Sequence, residues 1–260
     1  MSLHEYHRPT DPESASALLR SGATDARPIY VGPRPTTLHE QNWEAAVDLS
    51  QLGLDFIQQD AEGGFRIGAL TSLQDIVAAP DLQQYAGGLL PRTARFAAHL
   101  GLRNAANLGG VLTTVEGAPE VRLALMLLEA ETVSADGFVT EVRLPAQTLL
   151  TSLQRVARTP LDEAIVAVAA GLQVQDGVVT STQLVVSGIA KKSLRVEAVG
   201  ARLHSQALTS DPFDKVIASV MESADPSYRD YRGSAEYRRE IAGVLARRAV
   251  AAAWQSGSTT

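Results

Sequence analysis

Cysteine is absent from all 260 residues of the chain. The protein therefore makes no disulfide, offers no thiolate to an iron–sulfur cluster and has no cysteine nucleophile, so any redox chemistry must come from a cofactor. An excess of positive charge is absent too. The 23 Lys and Arg residues against 29 Asp and Glu give a net charge of −6, which argues against nucleic acid or an acidic membrane surface as a partner. No apolar run is long enough to cross a bilayer, and the polar start from Met1 to His7 lacks a signal-peptide core, so a cytoplasmic location is expected. His4, His7, His39, His99 and His204 are not spaced as metal ligands, and no metal site is expected. The chain has no G-x-S-x-G elbow, no phosphate-binding G-x-x-x-x-G-K-[ST] loop and no G-x-G-x-x-G fingerprint, which removes the best-marked hydrolase, nucleotide triphosphatase and Rossmann readings.

What is present is a globular composition, 45% hydrophobic and 20% charged, long enough for one or two domains. Its most informative stretch runs from Gly101 to Val111 and reads as a helix end entering a glycine turn at Gly109-Gly110. Such a turn brings backbone N–H groups close to an anion or a flat ligand, with Arg103 and Asn104 as polar heads; an ordinary turn is the alternative.

Before that stretch, Thr10-Asp11-Pro12-Glu13 caps a short helix ended by Gly22, and strands are expected at Pro28–Gly32 and Ala45–Leu49 in a small βαβ-like module. Phe65–Ala69 reads as a strand after Gly63-Gly64. Helices are expected from Ser72, over Leu89–Leu100 and over Ala118–Ala130, and a strand over Gly137–Pro145. From about residue 151 the pattern changes. Ala164–Val174 and Val178–Gly188, joined by Gln175-Asp176-Gly177, read as a hairpin within a β-meander. Helices follow at Leu194–Leu203, Pro212–Ser223 and Ser234–Trp254. Arg238, Arg239, Arg247 and Arg248 on the last of these read as a solvated face or as partners for Glu236 and Glu240.

These landmarks resemble the flavin-binding medium subunits of molybdenum hydroxylases, the family of xanthine dehydrogenase-like and carbon monoxide dehydrogenase-like enzymes. Tyr6-His7-Arg8-Pro9 is similar to the family's opening. Phe65-Arg66-Ile67-Gly68-Ala69-Leu70-Thr71 with Ile76 is similar to its "IGA-x-T-x-x-x-I", and Leu102–Gly110 to its "IRN-x-ATIGG" turn. Thr140–Pro145 matches a strand ending in "LP", while Ser187–Ala190, Leu194-Arg195 and Gly233–Arg239 match the C-terminal signature. The resemblance implies an α+β fold, with a two-subdomain FAD-binding domain of the PCMH type over 1–150 (subdomains about 1–57 and 58–150). A C-terminal domain of antiparallel sheet plus helices over 151–260 follows. It implies FAD as cofactor, a large molybdopterin subunit and a small [2Fe-2S] subunit as partners, and electron transfer to NAD or another acceptor, with no catalytic acid or base in this chain. The cofactor contacts it implies are Val31, Gly32, Pro33, Arg34, Arg103, Asn104, Asn107, Leu108, Gly109, Gly110, Thr114 and Glu120.

The departures from the family fall on those contacts. Val31-Gly32-Pro33-Arg34-Pro35 stands where relatives have "AGGT", and Pro33 has no N–H to give a phosphate, although Arg34 could pair with one. Asn107 replaces a Thr, Val111 an Asn, and Glu120 an Asp. Between Thr132 and Phe138 a long stretch common in relatives is missing. The same fold serving as a cofactor-free structural or assembly subunit is thus the alternative reading.

Overall fold

The computed structural model describes residues 3–20, 25–32, 43–114, 117–160, 162–176, 178–195 and 218–257. In chain order its elements are β1 (Glu5–His7), α1 (Pro12–Arg20), β2 (Ala26–Ile29), β3 (Ala45–Asp48), β4 (Ile57–Gln59), β5 (Phe65–Gly68), α2 (Leu73–Ala78), α3 (Pro80–Gln84), α4 (Leu89–Ala97), α5 (Leu100–Ala105), α6 (Leu108–Thr113) and α7 (Pro119–Leu127). They continue with β6 (Glu131–Ala135), β7 (Phe138–Leu144), β8 (Leu150–Val156), β9 (Val166–Gln175), β10 (Val178–Ser187), β11 (Leu194–Arg195) and α8 (Ala235–Gly257). The fold is mixed helix and sheet, as expected. Contacts group it into two compact units, the first of 1–78, 98–117 and 130–146, the second of 79–97, 118–129 and 147–260.

The first unit holds two sheets. One is parallel, in the order β1-β3-β2, and α1 connects its two outer strands. β1 is an element that the sequence pattern did not announce. Its three residues are exposed or half-buried, and only backbone pairing with β3 makes them a strand. The other sheet is antiparallel, in the order β4-β5-β7-β6, with Asp136-Gly137 closing the β6-β7 hairpin. Helix α2 starts where expected, because the Ser72 hydroxyl accepts from the Asp75 N–H at 3.0 Å and caps it. The expected helix over Leu89–Leu100 instead divides. α4 stops at Ala97, and the His99 ring accepts from the Leu102 N–H to open α5.

The second unit is a meander in the order β11-β10-β9-β8, with helices on both faces. α8 covers one face through Leu245, Ala246, Ala249, Val250 and Ala253 against Val166, Val168, Ala170 and Leu172. α7 lies against β9 and β10 on the other, with α4 packed on α7. Cover on both sides explains why Val166–Leu172 is an unbroken buried run rather than an alternating one. Each fully buried Val, Leu or Ile there stabilises the fold by about 1.5–3 kcal/mol.

Two helical expectations change. Leu194 and Arg195 are a strand paired with Val185 and Val186 of β10, and 196–203 lie outside the described residues. Of Pro212–Ser223, only residues 218–222 are described as helix. Gly22 and the hairpin residue Gly177 also lie outside the described residues. Arg238 is not on a solvated face: it is 1% exposed, and its guanidinium donates to the carbonyls of Ile165 (2.6 Å) and Gly188 (2.9 Å) and to the Asp230 carboxylate.

Candidate functional site

β2 ends at Ile29, and Tyr30-Val31-Gly32 leaves the carboxyl edge of the parallel sheet, the edge at which open α/β sheets usually receive ligands. Those residues meet α6. The Asn107 N–H donates to the Val31 carbonyl at 2.8 Å, the Leu108 N–H to Thr71 at 3.1 Å and the Gly109 N–H to Ala69 at 2.7 Å. The Gly110 N–H donates to the Asn107 side-chain oxygen at 2.8 Å, so Asn107 is the helix cap. Thr114 returns its hydroxyl to the Gly110 carbonyl at 2.6 Å.

The Gly109-Gly110 pair is therefore the first turn of a capped helix and not a turn between elements. Its glycines are required by the chain itself. A β-carbon on Gly109 would meet the Tyr30 ring, 2.5 Å from Cε1, and one on Gly110 would overlap the Val31 carbonyl and lie 2.7 Å from the Gly32 nitrogen. A β-carbon on Gly32 would reach the Thr114 methyl at 3.1 Å. Six expected contacts thus cluster with Val31: Gly32, Asn107, Leu108, Gly109, Gly110 and Thr114.

Of the other expected contacts, Arg103 and Glu120 have side-chain partners within their own units. Arg103, on α5, donates to the Gln74 side chain at 3.0 Å and to the Ala98 carbonyl at 2.8 Å, which makes it a brace between α5 and α2. Asn104 is exposed on the same helix. Pro33 and Arg34 lie outside the described residues. Glu120 belongs to the second unit, where it is 1% exposed and accepts from Arg155 Nε at 3.0 Å. Burial pushes its carboxyl upward against the opposing pull of Arg155. Arg155 also stacks over Phe96, 4.6 Å from the ring centre, and donates to the Pro160 carbonyl at 2.9 Å. Sequence reasoning passed over Tyr30, although an aromatic just before a Gly loop was the available signal. Its hydroxyl donates to the Val139 carbonyl on β7 at 2.7 Å, and burial drives its phenol well above the usual range.

With this arrangement in place, comparison with known proteins decides the family. A family model described as the FAD binding domain in molybdopterin dehydrogenase matches residues 2–170, most of the chain. The chain belongs to that family. A second model, the CO dehydrogenase flavoprotein C-terminal domain, matches residues 151–253. The chain is 25% identical to the carbon monoxide dehydrogenase medium chain of Hydrogenophaga pseudoflava, over 96% of each chain. It is 24% identical to the glyceraldehyde dehydrogenase medium chain of Sulfolobus acidocaldarius, over 78% of this chain and 80% of that one. Among solved structures, the carbon monoxide dehydrogenase from Hydrogenophaga pseudoflava lacking the Mo-pyranopterin moiety of its molybdenum cofactor has the same fold. It superposes with a TM-score of 0.85 over 98% of each chain at 24% identity. FAD is the cofactor of this family of domains.

The described residues fit that cofactor in placement. A loop leaving a parallel strand lies on a glycine-bearing helix within one unit, and the glycines let the two main chains meet closely. They also assign the parts. The N–H groups of residues 107 to 110 are all engaged inside the protein, so α6 supports Val31-Gly32. Among the described residues, no group of three His, Cys, Asp or Glu side chains could hold a metal, and no helix is long and apolar enough to cross a membrane.

Proposed function

We propose that this chain is the FAD-binding subunit of a molybdopterin-dependent hydroxylase or dehydrogenase, and that it passes electrons from the iron–sulfur clusters of a small partner subunit to NAD or another acceptor. Substrate oxidation then belongs to a large molybdopterin subunit, and the assembly is cytoplasmic. The observation that carries the reading is the seating of Val31-Gly32 on α6 inside the unit that holds most of the FAD-domain match. FAD, when bound, supplies the electron-transfer chemistry. Val31 and Gly32, held in place by α6, lie beside it, and Arg34, following Pro33 in the sequence, is its phosphate partner. We assign the flavin-binding part to residues 1–150 and the rest to the C-terminal domain.

The absence of an N–H at Pro33 favours one second reading, a subunit of the same family kept for assembly alone. Purified protein separates the two. Flavin absorption, or FAD released on denaturation, is the expected result. Colourless protein that also takes up no added FAD overturns the first reading and leaves the second.

A further inference from the structure

Tyr30 is the last residue before the loop, and it touches three elements at once. Its ring lies on Gly109 of α6, where no side chain stands in the way. The side chain packs against the cluster of Ala15, Val47, Leu49, Leu54 and Phe138, and its hydroxyl reaches the Val139 carbonyl at 2.7 Å. Val139 adjoins a bulge in the β6-β7 ladder, where regular pairing is interrupted and a carbonyl is available to a donor from outside the sheet. The next two residues are fixed on different partners. The Val31 carbonyl accepts from the Asn107 N–H, and Gly32 lies against Thr114 and Gly110. Three consecutive residues are thereby clamped to α6 and to the antiparallel sheet of the same unit.

We propose that Tyr30 is a positioning residue for FAD. Through its seat on Gly109 and its hydrogen bond to Val139 it sets where Val31-Gly32 lies against α6. The inference rests on the FAD reading above and adds a residue that neither the glycine motif nor the family match singles out. A tyrosine suits the task because it has a rigid ring with only two side-chain torsions and a polar tip that can be fixed at a distance. The hydroxyl adds direction that an aliphatic side chain in the same pocket would lack, since a hydrogen bond constrains both length and angle.

The test uses full-length protein stripped of flavin and titrated with FAD, with binding followed by flavin fluorescence and by the visible absorption band of the bound flavin. Wild type is compared with Tyr30→Phe, which keeps the ring and loses the hydrogen bond, and with Tyr30→Leu, which loses both. All are measured well below their melting temperatures. The expected result is a dissociation constant raised about tenfold in Tyr30→Phe and further in Tyr30→Leu, with a shifted flavin band in both. Equal affinity and an unchanged band in Tyr30→Phe, even with a lowered melting temperature, would show a purely structural tyrosine and overturn the inference alone. Wild type that binds no FAD overturns the function and this inference together.

Discussion

The main chain at Val31 passes so close to Gly110 that no β-carbon fits between them. The contact is backbone against backbone, so no side chain can swing aside to relieve it. Gly110→Ala must then displace either the loop or the helix, and overpacking of this kind costs about 1–3 kcal/mol. The expected outcome is a melting temperature lowered by several degrees together with faster proteolysis between residues 30 and 45. An unchanged melting temperature would show that the loop yields freely.

Gly109 and Tyr30 form a second such pair, but here one member is a side chain. Gly109→Ala alone is expected to destabilise, because the new methyl meets the ring. In Tyr30→Ala the ring is gone, and adding Gly109→Ala should then cost less, the tight approach to the Ala69 carbonyl at 3.0 Å being what remains. A double-mutant cycle followed by urea denaturation measures this, with a coupling of about 0.5–3 kcal/mol expected and strict additivity as the contrary result.

Arg155 and Glu120 are coupled unequally. Without Glu120, Arg155 keeps its Pro160 and Asp162 carbonyls and its stacking on Phe96. Without Arg155, a carboxylate that is 1% exposed loses its ion-pair partner. Arg155→Ala should therefore cost about 3–5 kcal/mol at neutral pH, and Glu120→Ala less. The sign with pH follows. In Arg155→Ala the folded state holds Glu120 above its unfolded value, so protons bind more readily to the folded chain, and the deficit shrinks as pH falls from 7 toward about 4.3. Denaturation midpoints of both variants across that range check the order and the trend. FAD affinity should be the same in both, and a loss in Glu120→Ala alone would return that carboxylate to the flavin site.

Asp230 predicts the acid limb of stability. Burial works to raise its pKa, but hydrogen bonds from Arg232 and Arg238 hold it down at about 2. A carboxyl whose folded pKa is depressed stabilises above its unfolded value, about 3.9, and loses that contribution as pH falls to about 2. The contribution is on the order of 2 kcal/mol. Asp230→Asn should therefore be less stable than wild type at pH 6 and no less stable at pH 2, as read from thermal melts at the two values. A gap that persists at pH 2 would assign the loss to geometry rather than charge.

What the sequence made legible is local. Asp176-Gly177 between two apolar runs marks β9 and β10, and the helical spacing of Tyr237, Ile241, Val244, Leu245 and Ala249 marks α8. These signals lie within neighbouring residues, where periodicity and turn chemistry act. The rest depends on distant partners. Glu5-Tyr6-His7 has no apolar alternation and becomes a strand only beside β3. Arg238 is buried because the turn from Asp230 to Gly233 folds back over it, a fact absent from its helical neighbours. The candidate site divides in the same way. The pair at Gly109-Gly110 is legible as a close approach to a ligand, yet what approaches it is Tyr30 and Val31, and the sequence alone names no partner for a missing side chain.

The contact between Gly110 and Val31 also bears on how this family's sequences change with time. A glycine kept by the chain's own backbone is under selection whether or not a nucleotide is ever bound. A lineage that abandoned its flavin would go on inheriting the pair at 109 and 110, much as a building keeps its lintel after the door is bricked up. The record of such a loss would be written in the residues that follow Gly32, and the substitution at Pro33 lies in that part of the chain.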